Sequence, residues 1–273
     1  MRNLITDVPG VKVGNAHDVR AATGVTVAVF DKSCVASVAT LGGAPGDRAT
    51  TLLEPEMTCA VIDAVVLSGG RDATLAVGED FALGTVGAGY GGTTANLKGG
   101  LGSASQRTKS GFVVGALTAV NAVGMATVGD SKHFWAGPYE RGDEFGGHGF
   151  PAKFSPEALA LRFKGQPAPA TATTIAMVAT DATLTKAECK RLAIMANDGL
   201  ARALRPVHAP NDGDTVFAVS TGHAGLGGEP SILTELGAAA ADCLARAVAR
   251  GIYEATALPY ATSLPDYRQR FGR

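Results

Sequence analysis

The sequence contains no apolar run of membrane-spanning length, which excludes a transmembrane helix. Met1 to Gly10 carries Arg2 but lacks the continuous apolar stretch of a secretory signal, so a cytoplasmic location is expected. Charge imbalance is also missing: 24 Lys and Arg stand against 25 Asp and Glu, for a net charge of -1. A chain so nearly neutral has no electrostatic footprint for a nucleic-acid backbone or an anionic membrane, and a small-molecule partner is the default. The four cysteines, Cys34, Cys59, Cys189 and Cys243, form no C-x-x-C pair and have no zinc-type histidine spacing; they read as small buried residues. His17, His133, His148, His208 and His223 make no H-E-x-x-H, and no G-x-S-x-G elbow is present. His133 and His208 read as structural or surface residues. Gly87-Ala-Gly89 with Gly92 falls short of a dinucleotide fingerprint, which sets nucleotide binding aside. No cofactor or metal is called for.

What is present is apolar material and glycine. Hydrophobic residues make up 46% and charged residues 18%, enough for a substantial core. No linker divides the chain, so 1–273 is expected to be one domain. The 36 glycines include the pairs Gly42-Gly43, Gly69-Gly70, Gly91-Gly92, Gly99-Gly100, Gly146-Gly147 and Gly227-Gly228. Such pairs suit tight turns around a site where backbones crowd, or a turn-rich β protein; glycine alone does not choose.

Val25 to Phe30 and Val35 to Thr40 are β-rich and separated by Asp31-Lys32-Ser33, which predicts a hairpin. Val61 to Leu67 reads as a buried strand or helix end, and Gly111 to Val128 as one or two core strands with Asn121 within or at the end of one. Gly165 to Ala172 is small, polar and proline-bearing, as a flexible exposed connection would be. A strand pattern starts abruptly at Thr173. Thr185-Lys-Ala-Glu188 is a capping box leading into a helix, Thr215 to Ser220 returns to strand, and Leu233 to Arg250 reads as a helix closed by Gly251.

Two places could carry chemistry. Asn211-Asp-Gly-Asp214 sets two carboxylates around a glycine, close enough to shift each other's proton affinity; the same residues also make an ideal tight turn, and locally the turn is favoured. Thr173 follows a segment that looks cleavable. A threonine hydroxyl needs an adjacent base, and a freed α-amino group on the same residue is one.

Several stretches taken together resemble the self-cleaving N-terminal-nucleophile aminopeptidases: the DmpA-type and β-peptidyl aminopeptidases and the nylon-oligomer hydrolases. They are Leu41-Gly-Gly-Ala-Pro-Gly-Asp-Arg48, Val66-Leu-Ser-Gly-Gly70, Phe81 to Gly89, Asn96-Leu-Lys-Gly-Gly-Leu-Gly102, Ala119 to Gly124, Thr173-Thr-Ile-Ala176, Ala179-Thr-Asp181 and Asp212 to Ala218. The resemblance implies an α/β fold, a four-layer α/β/β/α sandwich of the DmpA and ornithine-acetyltransferase type, with the nucleophile at the start of a central strand. It implies self-cleavage between Ala172 and Thr173 into chains 1–172 and 173–273, with Thr173 as nucleophile. Lys98 falls at a catalytic lysine and Asn121 at the active-site asparagine, both expected to stabilise charge on the substrate oxygen. Asp212 and Asp214 fall at paired acidic positions expected to support the amine and Lys98. Substrates would be short peptides or small linear amides, and the assembly a homo-oligomer of four or more subunits. Acyl transfer of the ornithine-acetyltransferase type and an inactive scaffold of the same family are the competing readings. The stretch between Gly70 and Phe81 is several dozen residues shorter than the resemblance leads one to expect.

Overall fold

A computed structural model of the chain describes residues 1–68, 76–165, 172–225 and 229–272. Its centre is a seven-stranded sheet ordered β1-β2-β7-β6-β5-β4, with β3 also on β2. The strands are β1 (Val11–Asp18), β2 (Thr23–Thr40), β3 (Ile62–Ser68), β4 (Leu101–Arg107), β5 (Val113–Asn121), β6 (Thr173–Thr180) and β7 (Thr215–Ser220). Four helices are present among the described residues: the single turn α1 (Pro156–Leu159), α2 (Lys186–Ala203), α3 (Pro230–Tyr253) and the short α4 (Tyr267–Phe271).

The expected hairpin at residues 25–40 is instead the single strand β2. Asp31-Lys32-Ser33 does not reverse the chain; the register to β3 slips between Val29 and Cys34, a bulge that bends the strand. The first half of β2 pairs with β1 and β3, and its second half pairs with β7. One strand therefore belongs to two layers, and the sheet curls over on itself. Val11, Val13, Ala28, Val65 and Leu67 of one layer pack against Leu101, Leu117, Met177, Ala179 and Val219 of the other.

The opposite face of the larger layer is covered by α2 and α3, whose buried leucines and alanines pack on Val114, Ala116, Val178 and Val216. Thr185 caps α2 as expected: its hydroxyl accepts from the Glu188 N–H, and the Glu188 carboxylate accepts from the Thr185 N–H at 2.7 Å. Gly251 does not close α3, which runs on to Tyr253. It lies against Gly102 of β4, where an added Cβ would come within 2.9 Å of the Gly102 nitrogen. These two glycines let helix and strand backbones meet. The expected α/β sandwich class stands, and Cys34, Cys189 and Cys243 are buried within it as expected, whereas Cys59, in the loop before β3, is only partly buried. Among the described residues no α-helix spans the outer face of the β1-β2-β3 layer, where Val66 is 56% exposed. None of the described helices is long and apolar enough to cross a membrane.

Candidate active site

β6 begins at Thr173, at one end of the larger layer, with Asn121, the last residue of β5, opposite it in register. On the other side, Ala172 forms a parallel bridge with Asp212, in the loop that leads into β7. Of the connection from Gly165 to Ala172 expected to be flexible and exposed, residues 166–171 lie outside the described residues, but its last member, Ala172, is buried.

Two donors meet on the carbonyl oxygen of Ala172. The Gly213 N–H donates to it at 3.1 Å, and the Thr173 hydroxyl lies 2.5 Å away. A Cβ on Gly213 would stand 2.6 Å from Thr173 Oγ1, so only glycine leaves room for this approach. The Asn211-Asp-Gly-Asp214 sequence is thus more than a local turn: it lies against the peptide bond that precedes β6.

The two carboxylates are both fully buried and behave oppositely. Asp214 Oδ1 accepts from the Thr174 N–H at 2.8 Å, and Oδ2 accepts from the His208 N–H at 3.1 Å and faces His208 Nδ1 at 2.9 Å. Burial pushes the Asp214 carboxyl up, but these bonds outweigh it and hold the group below the usual carboxylate value. Asp212 accepts from the Gly213 N–H at 3.1 Å. Burial, then the adjacent Asp214 charge, raises its proton affinity. The pair is therefore set up to share one proton.

Lys98, in the loop before β4, is 1% exposed. Its Nζ donates to the carbonyls of Gly89, Gly92 and Gly99 at 3.2, 2.8 and 2.7 Å. Burial, assisted by the charge of Lys164, brings its ammonium down to about 7. Asn121 Oδ1 accepts from the Thr93 N–H at 3.1 Å and from Lys164 Nζ at 2.7 Å. Burial lowers Lys164 to about 8 against the opposing pull of Asp212.

Sequence reasoning missed Lys164 and gave His208 no role. His208 has φ of 55°, the left-handed region, where its main chain and ring both reach Asp214. Its closeness to the acidic pair in sequence was the available signal. Lys164 has none, since its partner Asn121 is remote in the chain. A cavity of about 500 Å³ lined by Trp135, Tyr139, Phe150, Arg202, Arg205 and Val207 holds none of these site residues. Ala172 and Gly213 pack against Thr173.

Thr173 thus stands at the start of a central strand, its hydroxyl against the Ala172 carbonyl, on a curled α/β sandwich that is the fold of N-terminal-nucleophile hydrolases among solved structures. Solved structures share it. The β-aminopeptidase of a Burkholderia species matches with TM-score 0.69 and 21% identity, over 99% of this chain and 92% of that one. The L-aminopeptidase D-Ala-esterase/amidase of Ochrobactrum anthropi, described as a variant of the Ntn hydrolase fold, matches with TM-score 0.70 and 18% identity, over 98% and 92%. In sequence, the model of peptidase family S58 matches residues 3–79 and 71–263. An aminopeptidase of Mycobacterium tuberculosis, itself described as uncharacterized, is 34% identical over 345 residues, 98% of each chain. A counterpart in Mycobacterium leprae is 34% identical over 347 residues, covering 97% of this chain and 93% of that one. The chain belongs to peptidase family S58. It is a hydrolytic enzyme of the aminopeptidase type, a class that acts on peptides. Against 273 residues here, an alignment of 345 positions means the relatives carry dozens of residues with no counterpart. The two family matches meet at residues 71–79, in the stretch expected to be short.

Proposed function

We propose that the chain cuts itself between Ala172 and Thr173, and that the new N-terminal Thr173 then hydrolyses amide bonds in short peptides or small linear amides. The observation that carries this is the Ala172 carbonyl oxygen, which has the Gly213 N–H at 3.1 Å and the Thr173 hydroxyl at 2.5 Å. In the first step Thr173 Oγ1 adds to the Ala172 carbonyl carbon and loses its proton. The Gly213 N–H stabilises the negative charge that develops on the oxygen. Asp212, paired with Ala172 across the bridge and carrying a raised proton affinity, is the group suited to passing that proton to the leaving nitrogen. The C–N bond breaks, an ester joins Ala172 to the Thr173 side chain, and water hydrolyses it. The products are a carboxylate on Ala172 and a free amine and hydroxyl on Thr173.

In turnover the free amine takes the hydroxyl proton, and Thr173 Oγ1 attacks the substrate carbonyl. Because Asn121 Oδ1 is held by the Thr93 N–H, its amide nitrogen is the end left to donate to the substrate oxygen. Lys98, its ammonium brought down to about 7, adds positive charge to the wall of the site as pH falls below that value. Asp214 keeps the Thr174 N–H and His208 fixed, and so fixes the strand that carries the nucleophile.

Intact-mass spectrometry of the purified chain tests the reading: two fragments divided at 172/173 are expected. Thr173→Ala should stay whole and inactive, whereas Thr173→Ser, which keeps the hydroxyl and after cutting the amine, should cut. A preparation that turns over amides yet shows the full-length mass alone would overturn it.

A further inference from the structure

Lys164 precedes the expected cut, and most of the residues between it and Thr173 lie outside the described part of the chain. Its own position does not depend on them. The Lys164 N–H donates to the Val123 carbonyl at 2.9 Å, which pins its main chain to the loop just after β5. From there Nζ reaches back to Asn121, donating to Oδ1 at 2.7 Å and to the main-chain oxygen at 3.2 Å. Both anchors are on the stretch 121–123, so cutting the chain after residue 172 removes neither.

We infer that Lys164 is a positioning residue of the mature site: by clamping Asn121 Oδ1 together with the Thr93 N–H, it turns the Asn121 amide nitrogen toward the substrate oxygen. This rests on the hydrolytic reading above and extends it to a residue on the segment that cleavage would leave as the end of the first chain. A side-chain amide is free to swing by half a turn at little cost when its oxygen has a single weak partner. A charge-assisted bond from an ammonium is about twice as strong as a neutral one, so the lysine decides the orientation where the 3.1 Å bond from Thr93 alone would hold it loosely. Even a partly buried ammonium is costly to desolvate without partners, and here the head group reaches two acceptors, the side-chain and main-chain oxygens of Asn121.

The self-cleavage step uses a different donor on a different oxygen, the Gly213 N–H on Ala172. The two reactions therefore separate the proposal from general damage. Lys164→Met is expected to show kcat lowered by roughly a hundredfold, the lower end of the usual loss when one oxyanion donor is removed, with KM nearly unchanged, and to slow self-cleavage by far less, since that step keeps the Gly213 donor. Lys164→Arg, which keeps the charge and donors, should recover most of the kcat. A Lys164→Met enzyme with wild-type kcat, or one in which KM rises at constant kcat, overturns the inference. Equal slowing of cutting and turnover also overturns it, because that marks a structural role. A second measurement does not need turnover: in protein labelled with ¹⁵N-asparagine, the Asn121 side-chain amide signal, identified by its loss in Asn121→Asp, should shift and broaden in Lys164→Met. An unchanged signal refutes the clamp. A wild-type chain that neither cuts nor hydrolyses any amide refutes the hydrolytic reading instead, while this signal still decides whether the lysine holds Asn121.

Discussion

Gly213→Ala isolates the steric requirement at the cleavage point, because alanine keeps the N–H that donates to Ala172 and adds a single methyl group. That methyl would lie 2.6 Å from Thr173 Oγ1 and 3.3 Å from Thr173 Cγ2 and the Ala44 carbonyl oxygen. Ordinary contact begins at 3.4 Å, so the hydroxyl must retreat by about 0.8 Å or turn to another rotamer. Displacements of about 1 Å in a reacting pair cost on the order of a hundredfold in rate, and self-cleavage should slow by about that factor. Stability separates this contact from a general effect of alanine. In uncut Thr173→Val, a methyl group takes the place of the hydroxyl and the overlap remains, so adding Gly213→Ala should cost about 1–3 kcal/mol, the usual range for overpacking. In uncut Thr173→Ala both γ atoms are gone, and the remaining 3.3 Å contact is one the loop can relieve. There Gly213→Ala should be neutral or stabilise by about 0.4–1 kcal/mol through the unfolded chain. Thermal melts of the four proteins give both numbers. A Gly213→Ala enzyme that cuts at the wild-type rate, or a melting shift identical in the two backgrounds, would refute the reasoning.

The acidic pair should respond to pH with opposite signs, best measured in the uncut Thr173→Ala background. Asp214 is held below its unfolded value, so it contributes stability that is present above about pH 4 and lost as pH falls through its folded value; Asp214→Asn should lower Tm near neutrality, with the deficit closing in acid. Asp212 is held above its unfolded value, so its ionisation destabilises the fold increasingly as pH rises from about 4; Asp212→Asn should raise Tm near pH 8 and lose that advantage near pH 4, while in the Thr173 enzyme it slows cutting by tenfold or more. Matching shifts for the two variants would contradict the assignment. Away from the site, Arg246 is 1% exposed and bonds Glu144 through Nε at 2.5 Å and Nη2 at 3.0 Å. Glu144→Gln leaves that guanidinium without its counter-charge and should cost about 3 kcal/mol in denaturant unfolding, with self-cleavage retained; a loss below about 1 kcal/mol would show the pair to be dispensable.

Much of the frame was legible because it is written in local rules. The capping box at Thr185 and the strand patterns at Thr173 and Thr215 each depend on residues a few positions apart, and each element lies where its pattern begins. Residues 31–33 misled for the same reason. Asp-Lys-Ser has turn chemistry, but β2 has a different partner on each side of it, and the hydrogen bonds of β3 and β7 make one bent strand better than a hairpin. Gly251 has the form of a helix cap, yet it is spent on contact with Gly102 inside α3.

The sequence by itself determined that Thr173 starts a strand, that Asp212 and Asp214 flank a glycine, and that the family's landmarks stand in order. Only the tertiary structure decided what those residues touch. Antiparallel register brings Asn121 to Thr173, a parallel bridge brings Asp212 to Ala172, and the resulting approach makes Gly213 a requirement of the Thr173 hydroxyl rather than of a turn. Lys164 and His208 enter the site by the same route. A lysine's partner or a histidine's carboxylate is set by which strand ends meet, and that is fixed by sheet pairing over distances at which no sequence pattern has a period.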